Sequence, residues 1–408
     1  MCIETIFDKN TGNIKDTVPL DLLNQEEKIY GEFITLGGSV LRSQGFTVEM
    51  DTFSKRHKRV MYVVLPYIEN FEERVPWHKG NTYLNFEFSE YVDIPFNKSN
   101  ETISTSTSSK SISRNEAVIK MDDYEVSILK ESEYSSVKVS GDFNAYELLD
   151  CIIFYIGFSC GCMPQPYIIT ICDGDEVITK IKSINNQKSH KRSSNPIPSN
   201  VIINSQSSGE YSYSLLKKII LLQQNNLQWF TSIYNQWARV WHGYDSIDDV
   251  SELVLSVAVE GVLNDVYIPV FKKSRIDIKL SDDIELIKKA ISTLDVEESY
   301  KSRLKGSVSH WRDITASNAF DILIGEEIIN ANDKKIWKAI RNDSAHPKNK
   351  VLNSAEEMKK RNEVIRCLNL FHKLVLNIIG YSGPTNLFEV GNKKPMVELK
   401  HINVLHDK

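Results

Sequence analysis

The sequence predicts an α+β protein: a β-rich amino-terminal region, 1–200, followed by an all-α helical bundle, 201–408. Three observations carry this. Short aromatic and β-branched runs dominate before about residue 200, apolar residues at helical spacing dominate after it, and a polar, proline-containing stretch separates the two. With 408 residues the chain is long enough for two domains, and 41% hydrophobic and 25% charged residues give an ordinary globular balance.

The first region contains "MYVVLPYI", "TYLNFEFSEYVDIPF", "AVIKMDDYEVSILK" and "YIITICDGDEVITKI", which mix β-formers with partial period-two alternation. Residues 102–113, "TISTSTSSKSIS", read as a long exposed loop between strands. "NAYELLDCIIFYIGF" has the length and apolar density of a buried helix packed on the sheet. "INNQKSHKRSSNPIPSN", 184–200, reads as a linker or long loop.

Beyond it, Ile219, Leu222, Leu227, Phe230, Ile233, Tyr234, Trp237 and Trp241 predict one long helix over 214–241. Ser246 and Asp249 suit a helix start, and the helix that follows carries Leu253, Val257, Glu260 and Asn264 on one side. Glu260 therefore sits in or beside an apolar stripe, either at a wet edge or held for an arginine. In the last strong helix, Ser354 and Glu357 form an S-x-x-E capping box. Met358, Ile365, Leu368, Phe371, Val375 and Ile378 make the stripe, and Gly380 supplies the stop.

Several function classes are disfavoured. No basic-then-apolar leader opens the chain and no uninterrupted apolar run is long enough for a bilayer, so a cytoplasmic protein without a membrane partner is expected. Six cysteines are too sparse for a disulfide framework. Cys151, Cys160, Cys162 and Cys172 lack zinc-site spacing and read as reduced, buried thiols, so neither metal nor cofactor is expected. His57 and His78 have no catalytic neighbours, His372 reads as a histidine satisfied within the bundle or at its surface, and "HKR" at 190–192 reads as solvated linker. Walker loops, serine elbows and H-E-x-x-H motifs are absent.

A net charge of -5 gives no global attraction for nucleic acid, so a local patch must supply it. Between 334 and 350, Lys334, Lys335, Lys338, Arg341, Lys348 and Lys350 stand against one acid, Asp343. In "IWKAIRNDSAHPKNK", Ile336, Trp337 and Ile340 anchor a short helix, and Pro347 disfavours helical geometry at His346. A turn through "NDSA" would bring the imidazole back toward the guanidinium of Arg341. Such a pair suits metal-free RNA cleavage. Histidine moves the proton of a ribose 2′-hydroxyl, and arginine stabilises the charge gathering on the attacked phosphate. Asn342 is placed to orient the arginine or bond a phosphate oxygen.

The string "RNDSAHP", set among helices and preceded by the Glu260 helix, resembles the RNxxxH motif of HEPN-domain proteins, over roughly residues 210–382. Arg341, Asn342 and His346 match that motif, and Glu260 resembles the acid of an earlier HEPN helix. The resemblance implies a helical bundle and a homodimer whose two motifs share a cleft. It also implies metal-independent endoribonuclease activity, for which Lys338, Lys348 and Lys350 of the basic patch are the expected RNA contacts. The β-rich half joined to this bundle further resembles ApeA-like antiphage defence proteins, which implies abortive infection released by a phage-derived trigger. The alternative is an inactive HEPN-type RNA-binding or regulatory dimerisation protein.

Overall fold

The structure is a computed structural model. It describes residues 32–34, 40–43, 49–50, 63–64, 71–76, 82–89, 92–104, 109–132, 134–173, 176–182, 195–199, 202–203, 206–244, 248–274, 278–345, 353–388 and 396–398. The architecture is mixed α+β, with an antiparallel sheet in the amino-terminal region and helices dominating the carboxyl-terminal region. By its contacts the chain divides into two units. Residues 1–89, 122–145 and 165–188 form the first, and 90–121, 146–164 and 189–408 the second. The helical unit therefore takes two segments from the β-rich half.

In chain order the first strands are β1 (Glu32–Ile34), β2 (Val40–Ser43), β3 (Glu49–Met50), β4 (Val63–Val64), β5 (Phe71–Pro76) and β6 (Thr82–Phe88). After β7 (Lys98–Ser104) and β8 (Ser109–Lys120) come β9 (Tyr124–Lys130), β10 (Ser135–Gly141), helix α1 (Ala145–Cys160), β11 (Ile168–Asp173) and β12 (Glu176–Ile181). In the first unit the strands lie in the order β1-β2-β5-β12-β11-β6-β10-β9, with β3 and β4 paired separately. Alternation makes the core: Leu84, Phe86 and Phe88 on β6, Val126 and Ile128 on β9, and Val137 and Val139 on β10 are all at most 2% exposed. Gly141 closes β10 at φ 136, where a Cβ would lie 2.4 Å from the Asp123 carbonyl oxygen, so no other residue fits.

In the second unit β7 and β8 form an antiparallel hairpin with a register shift between Lys98 and Ser99. Residues 102–113, expected as an exposed loop, belong mostly to these strands, with 105–108 outside the described residues. Threonine and isoleucine among the serines favour pairing once a partner strand is available. Helix α1 is buried from Cys151 onward, with Tyr146, Glu147 and Asp150 exposed. Instead of the expected packing on the sheet, its ring contacts to other elements are with the bundle: Phe154 with Phe230, and Phe158 with Trp237 and His372. The separating stretch is described only from Asn195, and there it is no solvated linker. Ile197 is buried, and the Pro196 carbonyl accepts from the Asn386 amide and the Thr385 hydroxyl.

Two short strands, β13 (Ile202–Ile203) and β14 (Gln206–Ser207), lead into α2 (Ser208–Asn225), α3 (Leu227–Tyr244) and α4 (Asp248–Val262). The single helix expected over 214–241 is thus two. Asn226 interrupts it, its side-chain oxygen accepting from the Trp229 amide at 3.2 Å to start α3, the capping role that asparagine performs better than helix propagation. A π turn, Leu263–Tyr267, joins α4 to α5 (Ile268–Ser274). The run Val250–Ser274, 25 residues, holds an 18-residue window of mean hydropathy 1.6, long and apolar enough by length and composition to cross a bilayer, although Glu252, Glu260 and Asp265 interrupt the run. Half of its apolar window is buried inside the protein, where α4 packs against α3, α9 and α10.

The remaining helices are α6 (Ile278–Ser292), α7 (Glu298–Ser309), α8 (Ala316–Gly325), α9 (Ala331–Ala345) and α10 (Ser354–Ile379), followed by the strand pair β15 (Pro384–Asn386) and β16 (Met396–Glu398). The capping box of α10 lies one residue earlier than expected. The Asn353 side chain accepts from the amides of Ala355 and Glu356, and Glu356 accepts from the Asn353 amide. Gly380 ends the helix in the left-handed region at φ 75, as expected. Leu368, Phe371, Val375 and Ile378 are fully buried, whereas Met358 is exposed. Ser246, His57, His78 and the "HKR" at 190–192 lie outside the described residues.

Candidate functional site

Helix α9 positions the site. It starts on Asn330, whose side-chain oxygen accepts from the amides of Asn332 and Asp333, while Asp333 accepts from the Asn330 amide. Its inner face holds Ile336, Trp337 and Ile340, all under a tenth exposed. The Trp337 indole donates to the Ser256 carbonyl of α4 at 3.2 Å, and its ring lies 4.8 Å from that of Phe320 on α8. That contact sets the register of the two helices. Glu260 lies one turn beyond Ser256 and Arg341 one turn beyond Trp337, so the two meet as a second rung.

They meet as a fork. Arg341 donates through Nε to Glu260 Oε2 at 2.9 Å and through Nη2 to Oε1 at 3.1 Å. The guanidinium carbon also sits 5.5 Å from the centroid of the Trp337 ring. Side-chain exposures of 50% for Arg341 and 29% for Glu260 leave the pair at the protein surface, able to meet a ligand. The face carrying Glu260 is not the apolar core stripe expected. Leu253 and Val257 on that side are exposed, and α4 buries Leu255, Ala258, Val259 and Val262 instead. Ser256 and the carboxylate of Glu252 are also buried, the latter paired with Lys360 at 3.2 Å.

The pair opens on a cleft of about 420 Å³. Lys338, Arg341 and Asn342 of α9 line one side, and Thr315, Ala316 and Ser317, at the start of α8, line another. Thr315 caps that helix by accepting from the Asn318 amide at 3.2 Å. The cleft thus presents the Arg341 guanidinium with its Glu260 carboxylate, the Lys338 ammonium, the Asn342 amide, the Ser317 hydroxyl and the positive end of a helix. The Thr315 hydroxyl is engaged with Asn318, and the cationic side suits a phosphate. Lys338 and Asn342 are exposed, whereas Lys334 is committed to Asp321 at 2.5 Å. Sequence reasoning missed Thr315, Ala316 and Ser317. The T-x-x-N pattern at 315–318 marks a helix start, but nothing in it points to Arg341.

The geometry brings together Arg341, Asn342, Lys338 and Glu260 among the expected site residues. His346, Lys348 and Lys350 lie outside the described residues. The segment expected to turn is helical instead: Asn342 to Ala345 continue α9, and the Ser344 hydroxyl donates to the Ile340 carbonyl at 2.8 Å. Described helix ends one residue before His346, where Pro347 disfavours its continuation.

Other candidate groups separate from this site. His372 is 2% exposed and neither ring nitrogen has a hydrogen-bond partner among the described residues, against the expectation of a satisfied histidine. Burial among Phe158, Trp237 and Phe371 pushes its pKa down to about 3, which keeps it neutral. The five described cysteines are buried and form no disulfide with one another, and burial pushes the Cys367 thiol up to about 12. Among the described residues no three His, Cys, Asp or Glu side chains cluster as metal ligands. A second cleft of about 250 Å³ lies beside α9 and α10, and its Lys373 and Asp333 neutralise each other at 3.1 Å. Compared with family models, curated proteins and solved structures, the chain matches none of them.

Proposed function

We propose that this protein is a metal-independent endoribonuclease of the HEPN type, acting in the cytoplasm as a homodimer joined through its helical unit. The observation that carries this reading is the Glu260-forked Arg341 at a polar cleft, five positions before His346 in the R-x4-H spacing of the motif. Glu260 fixes the guanidinium through Nε and Nη2, leaving the Nη1 side to face a phosphate. Asn342 supports the phosphate beside it, and Lys338, Lys348 and Lys350 hold the flanking backbone.

In this mechanism His346 accepts the proton of a ribose 2′-hydroxyl as that oxygen attacks the adjacent phosphorus. Arg341 stabilises the added negative charge, the bond from phosphorus to the 5′-oxygen breaks, and the leaving oxygen takes up a proton from water, to which His346 returns the proton it accepted. The products are a 2′,3′-cyclic phosphate and a 5′-hydroxyl. The β-rich unit acts as the sensing or regulatory part, and antiphage defence by abortive infection, released by a phage-derived trigger, is the setting that the family resemblance supports.

A second reading, an inactive RNA-binding or regulatory dimer, is favoured by one observation. The carboxylate of Glu260 offsets the charge of Arg341. End-group analysis separates the two readings. A nuclease yields 2′,3′-cyclic phosphate ends, and Arg341→Ala lowers the rate by roughly 10²- to 10³-fold, the usual cost of losing a transition-state charge donor. RNA retained on the wild-type protein without any cleavage, also in phage-infected cells, favours the binding module.

A further inference from the structure

Helices α6 and α7 form a hairpin with little interior. Ile284, Ile291 and Val308 are its buried residues, with Leu280 and Ile287 packed on them. Leu286, Leu294, Val296, Tyr300, Leu304 and Trp311 remain 44–63% exposed. Among the described residues, the elements on which both helices chiefly pack are each other and the 3-10 turn His310–Arg312. Tyr300, Leu304 and Trp311, spaced by four and seven, lie along one face of α7 and its continuation, the pattern of a helix that expects a partner.

The outer face of α6 shows which partner. Leu286, the most exposed large apolar residue of the hairpin at 63%, is central, with Asp282, Asp283, Lys289 and Ala290 exposed around it. At 100° per residue these five fall within one side of the helix. Glu285 and Lys288 are paired with each other at 3.0 Å, whereas Asp282, Asp283 and Lys289 make no ion pair among the described residues. Acids thus lead the face and a lysine ends it.

We propose that this hairpin is the surface through which two copies of the chain associate, α6 of one lying antiparallel to α6 of the other with Leu286 on the two-fold axis. At 100° per residue Asp282 and Lys289 lie on one flank of Leu286, and Asp283 and Ala290 on the other. An antiparallel pair centred there keeps each flank on its own side, so Asp282 lies beside Lys289 of the partner subunit, twice by symmetry. Parallel pairing would set Asp282 against the acids of the other copy. The same carboxylates disfavour nucleic acid or an anionic membrane on this face. The proposal rests on the dimeric reading above and assigns its contact.

Light scattering and sedimentation of the full chain over a concentration series test it, with circular dichroism to verify folding. Wild type is expected to be a dimer. Leu286→Glu weakens association about 100-fold, as for a central apolar anchor. Asp282→Lys and Lys289→Asp each weaken it about tenfold, and the double exchange restores it to within about threefold of wild type. A dimer indifferent to all four variants overturns this contact and leaves the dimeric reading standing. A wild-type monomer at every concentration overturns both, and a double exchange weaker than either single variant overturns the antiparallel register.

Discussion

At the scale of single residues the central contact is the fork between Glu260 and Arg341. With its arginine half exposed, such a pair contributes at most about 1 kcal/mol to stability, so its consequence is geometric. Glu260→Ala is expected to leave thermal stability within about 1 kcal/mol of wild type while lowering cleavage by roughly 10- to 100-fold, the scale of a misplaced catalytic group. Parallel melting and rate measurements test this, and equal rates would leave Glu260 without a positioning role. His372 is the opposite case. Its pKa falls from an unfolded value of about 6.5 to about 3, so between those values the unfolded chain binds more protons and stability drops as pH falls. That loss reaches about 1.4 kcal/mol per pH unit, and His372→Leu is expected to flatten the slope in urea titrations between pH 6.5 and 5. An unchanged slope would contradict it. "RNDSAHP" was legible as a string, and helical spacing put Glu260 on a face. That the face would point at Arg341 was not legible, because it depends on the Trp337 to Ser256 contact between two helices.

At the scale of elements, local chemistry was read well where the signal is a stop and less well where two starts compete. Gly380 was read as the end of α10, whose left-handed turn asks for glycine. Its start was misplaced by one residue, because Asn353 and Glu356 make as good a box as Ser354 and Glu357. Asn353→Ala is expected to cost about 1 kcal/mol by chemical denaturation, whereas Ser354→Ala costs only a few tenths. The reverse ranking would return the cap to Ser354. The same competition broke the helix expected over 214–241 at Asn226. Gly306 in α7 would place a Cβ where nothing lies within 4 Å, so Gly306→Ala is expected to stabilise the protein by about 0.5–1 kcal/mol. A lower melting temperature would show that this side of the hairpin is covered.

At the scale of the whole molecule, periodicity made the α+β order legible: period two before residue 200 and period 3.6 after 208. It did not reveal that α1 and the β7–β8 hairpin belong to the helical unit, since that membership is made by long-range partners such as Phe154 with Phe230 and Tyr155 with Ser212. Nor did it reveal the first turn of α8 as a wall of the cleft. The protein brought together from these parts has a forked arginine at a polar surface cleft, five positions before a histidine in the sequence. The most direct measurement is cleavage of total cellular RNA by wild type and by His346→Ala, both in excess EDTA. Metal-independent HEPN chemistry predicts 2′,3′-cyclic phosphate ends from wild type, and a rate at least about 10²-fold lower from a folded His346→Ala. Equal cleavage by the two proteins, or wild-type cleavage abolished by EDTA, would contradict it.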